Sequence, residues 1–186
     1  MCLQLHSLST DYSVTGFIGG KRYYKDGKLW LYLLRYKPCE TEQQSRMCCE
    51  IPLISEVKET SGALQSEGFE LLGWFHSHPQ YTRKPSKNDV QTQKDIQLNS
   101  KSGPDRPLVG LIFSCLDMKM RCIYIHPKDL MSEGLIKPFD MEVAITKEHK
   151  HFPIHVESVL SAIKDKEFEI KQIVRKVGLL FVYLVF

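Results

Sequence analysis

Gly73-Trp74-Phe75-His76-Ser77-His78-Pro79 is the stretch that decides how this chain is read, and Pro85-Ser86-Lys87-Asn88-Asp89 follows it after a short loop. The lead-in, Phe69-Glu70-Leu71-Leu72-Gly73-Trp74-Phe75, is mostly apolar, as expected of a buried strand that carries two histidines to its end. Residues two apart in a strand share a face, so His76 and His78 present both imidazoles to one side. Asp89 lies eleven positions beyond His78, just inside a helix that Ser86 caps in this reading. An acid three residues after a capping serine is an ordinary capping box, but capping leaves one face of that first turn free to look back at the strand. Two neutral imidazoles and one carboxylate form a donor set typical of catalytic zinc, with the fourth tetrahedral position open.

The rest of the composition is that of an ordinary folded domain. The chain has 186 residues, 42% hydrophobic and 25% charged, enough for one domain with a full core and a helical appendage. A net charge of +3 with no block of like charges gives no reason to expect nucleic acid as a partner of this domain alone. The six cysteines, Cys2, Cys39, Cys48, Cys49, Cys115 and Cys122, form no C-x-x-C pair, and the first residues lack the charged and apolar regions of a signal peptide. Free thiols in the nucleus or cytoplasm are expected. The adjacent pair Cys48-Cys49 has poor geometry for chelation. His6, His126, His149, His151 and His155 stand singly and read as ordinary side chains.

Taken in order, Val14 to Gly20 is an apolar segment expected to end in a glycine turn. Lys21 to Tyr24 and Leu29 to Tyr36 then flank Asp26-Gly27, a strong hairpin signal. Cys49 to Leu53 reads as a short extended piece and Ser55 to Glu67 as a helix stopped by Gly68. Ser86 to Leu98 is the helix that carries Asp89, with Val90, Gln93, Ile96 and Gln97 at helical spacing. Asn99 to Pro107 is turn-rich. Leu108 to Cys115 is continuously apolar, as in a central strand buried on both faces, and Met120 to His126 is a strand beside it. A further strand is expected over Phe139 to Ile145, and Val156 to Lys176 has helical periodicity. The apolar tail from Val177 to Phe186 is too short to cross a bilayer, which takes about 20 helical residues. It is the buried end of a helix, a dimer contact, or the mark of a truncated chain, and packing is the favoured reading. No membrane partner is expected.

The pattern His-x-His-Pro-x(6)-Ser-x(2)-Asp is complete as His76, His78, Pro79, Ser86 and Asp89. In this the chain resembles the JAMM, or MPN-plus, metalloproteases, many of which remove ubiquitin from proteins. Similarity runs over about residues 12 to 126. Gly16 to Lys21, Pro38-Cys39, Cys49-Glu50 and Gly68 to Pro79 look most like the branch that holds the Myb-SWIRM-MPN histone deubiquitinase and the MPN-domain-containing protein. Val109 to Cys115 is similar instead to a second deubiquitinase branch. The resemblance implies an α/β protein with the MPN (cytidine deaminase-like) fold: a curved, mixed β-sheet flanked by helices, with the metal site at one edge. The expected organisation is an MPN domain over residues 1–150 and a C-terminal helical extension over 151–186. It also implies one zinc ion per chain on His76, His78 and Asp89, ubiquitin or a ubiquitinated protein as substrate, and a zinc-activated water as nucleophile. Ser86 would steady that water or the developing oxyanion. The C-terminal helix would offer a surface to an MPN-domain or complex partner.

One position departs from the family pattern. Its general base is a glutamate three residues before a glycine, in a run like Glu-Val-x-Gly-Leu-Leu-Gly-Gly, and the matching run here is Ser13-Val14-Thr15-Gly16-Phe17-Ile18-Gly19-Gly20. Ser13 stands where the glutamate is expected. A hydroxyl has no useful basicity near neutral pH, and loss of general-base assistance costs roughly 10²- to 10⁴-fold in rate. Asp11, two residues earlier and on the same face if the segment is extended, is the nearest candidate for a substitute base. Two functions therefore compete: a zinc-dependent ubiquitin isopeptidase, and a catalytically silent MPN binding module. A mis-spliced or truncated gene model is a third account of the apparent loss of the glutamate.

Overall fold

The computed structural model describes residues 7–8, 12–39, 54–100, 102–103, 105–132, 134, 136–146 and 181–185. Within them the chain runs β1 (Thr15–Lys25), β2 (Lys28–Pro38), α1 (Ile54–Ser66), β3 (Glu70–His78), α2 (Lys87–Asn99), β4 (Val109–Ser114), β5 (Lys119–Tyr124), β6 (Phe139–Thr146) and β7 (Phe181–Val185). A 3-10 turn at Pro127–Asp129 follows β5. The strands close a barrel in the order β1-β2-β7-β6-β5-β4-β3. Every pairing is antiparallel except β3 with β4, so the sheet is mixed. A parallel pair needs a long crossover, and here α2 supplies it.

The Asp26-Gly27 signal gives the expected two-residue hairpin. Lys25 pairs with Lys28, and Asp26 and Gly27 have φ of 54° and 71°, the left-handed pair that matches strand twist. Gly19-Gly20, expected as a turn, instead lies inside a continuous β1. The register to β2 slips between Gly19 and Gly20, and the register to β3 slips between Ile18 and Gly19. This is a bulge, and glycine is required because a Cβ on Gly20 would stand 1.9 Å from the Tyr32 carbonyl oxygen. The hydrophobic run read as one central strand is β4, buried along its whole length between β3 and β5.

The apolar tail is corrected over its described part. Residues 181–185 are strand, not helix, and pair with both β2 and β6. The helix expected over 156–176, the extended piece at 49–53, and Cys2, Cys48 and Cys49 lie outside the described residues. Cys39, Cys115 and Cys122 are free thiols, as expected.

Two apolar clusters lie on opposite faces of β3. Ile18, Leu31, Leu72, Phe75, Leu111 and Phe113 fill the barrel. Phe17, Leu64, Leu71, Trp74 and Ile96 lie between the sheet and the two helices. Trp74 therefore faces α2, and strand alternation puts His76 and His78 on that same side. A buried polar clamp fixes the helix there. Gln93 accepts the Trp74 indole N–H (2.7 Å) and donates to Gln97 and to the Leu108 carbonyl (2.7 Å each). Gln97 in turn bonds both the N–H and the carbonyl of Ile125 (2.9 Å each). Gln93→Leu should strand the Trp74 N–H and the Leu108 carbonyl without partners. We expect a loss of about 2–4 kcal/mol in urea unfolding with an unchanged m-value.

Candidate metal centre

The clamp sets the site by a length match. From Trp74 to His76 is two strand residues, about 6.6 Å, and His78 lies two residues further along the same face. From Gln93 back to Asp89 is one helical turn of about 5.4 Å. With Gln93 bonded to Trp74, Asp89 is brought opposite the histidines. His76 Nε2 stands 3.7 Å from Asp89 Oδ1, and His78 Nε2 stands 3.3 Å from Asp89 Oδ2. The two imidazoles are 5.0 Å apart and nearly perpendicular. One donor atom from each of the three residues fits within a 4.8 Å span.

Each side chain is held from behind. The Nδ1 of His78 meets the Thr82 carbonyl at 2.7 Å, so that nitrogen carries the proton and Nε2 offers its lone pair to the site. The loop that brings Thr82 round is tied to β4 by the Ser114 hydroxyl, which donates to the Tyr81 carbonyl (2.8 Å). Asp89 belongs to the expected capping box: the Ser86 N–H donates to its Oδ2 (2.6 Å), and the Asp89 N–H donates to the Ser86 hydroxyl (3.1 Å). Because Ser86 Oγ accepts in that box, its own proton is left to donate. Ser86 is exposed, while Asp89 is only 4% exposed and His78 7%.

Burial and charge shape the titration of the group. Burial, reinforced by His78 and opposed by Asp89, lowers His76 to about 4, so its imidazole is neutral near pH 7. For His78 the burial penalty is outweighed by its hydrogen bond to Asp89, the Thr82 carbonyl and the Asp89 charge, and its pKa is raised. Asp89 also resists its burial penalty, since the His78 hydrogen bond, His76 and both Ser86 contacts lower its pKa. A carboxylate kept ionised between two Nε2 atoms is a donor set that fits zinc.

Ser13 lies just before β1, which pairs Thr15 with His76. Its hydroxyl is 3.4 Å from both nitrogens of the His76 ring and donates to the Ser77 carbonyl. The residue is 5% exposed. Asp11 lies outside the described residues. Sequence reasoning missed Thr82, Ser114 and the role of Ser77, whose hydroxyl accepts the Val14 N–H (2.8 Å) and joins β1 to β3 beside the site. Thr82 acts through its backbone carbonyl, so residue type carries no signal for it. Trp74 and Phe75 are core, as expected.

Comparison with known proteins agrees with this architecture. Residues 38–101, which carry both histidines and Asp89, match the family described as JAB1/Mov34/MPN/PAD-1 ubiquitin protease. The histone deubiquitinase MYSM1 of Xenopus laevis is 31% identical over 114 residues, covering 61% of this chain and 13% of that protein. The human MPN domain-containing protein is 31% identical over 114 residues, covering 60% of this chain and 23% of that one. The chain thus matches less than a quarter of the length of either relative. The solution structure of a Desulfitobacterium hafniense protein superposes with a TM-score of 0.51 at 20% identity, over 81% of this chain and 89% of that one, a likeness of fold. The mixed barrel, the clamped helix and the matched segment agree in likening this chain, over residues 38–101, to the JAB/MPN family.

Proposed function

We propose that the domain binds one zinc ion through His76, His78 and Asp89 and acts on ubiquitin conjugates as an isopeptidase. The observation that carries this reading is the convergence of the three donors within 4.8 Å, from a strand and a helix held in register. Zinc in such a site supplies Lewis acidity, polarising a carbonyl and acidifying water. The chain's own groups do the rest of the positioning. Thr82 fixes the tautomer of His78, and the free proton of Ser86 is available to a carbonyl oxygen as negative charge develops on it. The relatives named as deubiquitinases support ubiquitin as the substrate class, and a nuclear or cytoplasmic location goes with it.

A second reading rests on Ser13. Amide hydrolysis needs a group to take a proton from water and pass it to the leaving amine. The described cluster holds a single carboxylate, Asp89, and the Ser13 hydroxyl already donates to Ser77. A domain built this way binds zinc and ubiquitin conjugates without turning them over. The deciding experiment measures zinc content and hydrolysis of ubiquitin chains by the purified protein, with and without a chelator. Chelator-sensitive cleavage supports the isopeptidase. One zinc per chain and ubiquitin binding without cleavage support the silent module. Absence of zinc defeats both.

A further inference from the structure

His78 is gripped from the end of β4 at both its backbone and its ring. The pairing of β3 with β4 sets His78 opposite Ser114, the last residue of β4, and the Cys115 N–H donates to the His78 carbonyl (3.0 Å). Beyond His78, residues 79–85 form neither helix nor strand, and Gln80, Tyr81, Thr82 and Lys84 are exposed. Few packed side chains hold such a segment, so its hydrogen bonds decide where it lies. Among the described residues it has two. The Thr82 carbonyl meets His78 Nδ1 at 2.7 Å, and the Tyr81 carbonyl accepts the Ser114 hydroxyl at 2.8 Å. Ser114 is fully buried. The Asp117 N–H, from the turn between β4 and β5, donates to the same Ser114 oxygen (3.4 Å), which leaves the hydroxyl proton for Tyr81.

We infer that Ser114 is a positioning residue of the candidate metal centre. It supplies no donor atom itself, since the group consists of His76, His78 and Asp89. Its effect passes through one peptide bond and one ring. The Tyr81 and Thr82 carbonyls belong to consecutive peptide groups, so holding the first limits the movement of the second. Thr82 then keeps its carbonyl on His78 Nδ1, which retains the proton there and leaves the Nε2 lone pair turned to the site. Without the Ser114 bond, the segment's remaining tie among the described residues is the contact with His78 that it serves to fix. The consequence for zinc rests on the proposed function. The hold on the ring proton does not.

The test uses the full chain and compares Ser114→Ala, Ser114→Thr and Ser114→Val. Threonine keeps the hydroxyl and valine has the same shape without it, so this pair separates the hydrogen bond from added bulk at a buried position. Zinc affinity is read by competition with a chelating dye. Exchange of the His78 Nδ1 proton with solvent is read by NMR on the metal-free protein. Zinc affinity should fall about 10-fold in Ser114→Ala and Ser114→Val, the lower end of what residues that orient a ligand are worth, while Ser114→Thr stays near the parent. The ring proton should exchange faster in the same two variants. Amide exchange of Leu111 and Ile112, in the middle of β4, should not change, whereas a general loosening would move it too. Leu116→Ala, exposed on the same turn, should alter neither reading. Zinc affinity or ring-proton exchange like the parent's in Ser114→Ala overturns the inference, and so does a Ser114→Thr that behaves like Ser114→Val. A parent that binds no zinc defeats the proposed function, and ring-proton exchange alone then decides for or against Ser114.

Discussion

His78→Ala should abolish zinc binding at the proposed metal site. We expect bound zinc to fall from one per chain to near zero after dialysis against micromolar free zinc, with affinity reduced by well over 100-fold. The scale follows from what neighbouring groups are worth: losing a residue that merely orients a ligand costs roughly 10- to 100-fold, and His78 is itself one of three donors in the group. Its removal also frees the Thr82 carbonyl and withdraws the hydrogen bond that helps keep Asp89 ionised. A linked effect appears in stability. A ligand that binds only the folded state at roughly 1,000 times its Kd stabilises by about 4 kcal/mol, so zinc should raise the melting temperature of the parent and leave that of His78→Ala unmoved. His126→Ala is the matched control. His126 caps the 3-10 turn, where its Nδ1 accepts the Lys128 N–H, and its loss should leave zinc content intact. Retention of stoichiometric zinc by His78→Ala would mean that the donor set has been wrongly assigned.

Much of the site is legible in sequence because local rules fix it. A His-x-His pair at the end of an apolar run has only one face to occupy, and Ser86 with Asp89 spells a helix start that the structure reproduces bond for bond. The Asp26-Gly27 hairpin and the buried β4 are equally local. What escapes the sequence is long-range or carried by backbone. β7 pairs with β2 across about 150 residues, and nothing in a continuous apolar run says whether it is strand or helix. Gly19-Gly20 has the composition of a turn, and only the crowding by Tyr32 shows it to be a bulge. Gln93 and Gln97 lie at helical spacing but are polar. Their burial becomes intelligible only once Trp74, Leu108 and Ile125 supply every partner.

Ser13→Glu should increase ubiquitin-chain cleavage by roughly 10²- to 10⁴-fold, the usual worth of a general base, or about 3–5 kcal/mol of barrier. Ser13 has the right placement, since its hydroxyl lies within 3.4 Å of the His76 ring, and the wrong chemistry, since that hydroxyl donates to Ser77 and takes no proton near neutral pH. A glutamate there reaches two carbons further and ends in a base. The new side chain starts from a buried position, so folding must be checked through zinc content and the melting temperature. Ser13→Gln separates basicity from bulk: it has the same length and no capacity to accept the proton, and it should stay as slow as the parent. A large gain confined to the glutamate variant would identify the natural chain as a metal-binding domain silenced at one residue position. If the parent already cleaves, with activity lost on chelation and in His78→Ala, the serine is not the limiting feature. Asp11→Asn then becomes the variant that should abolish turnover.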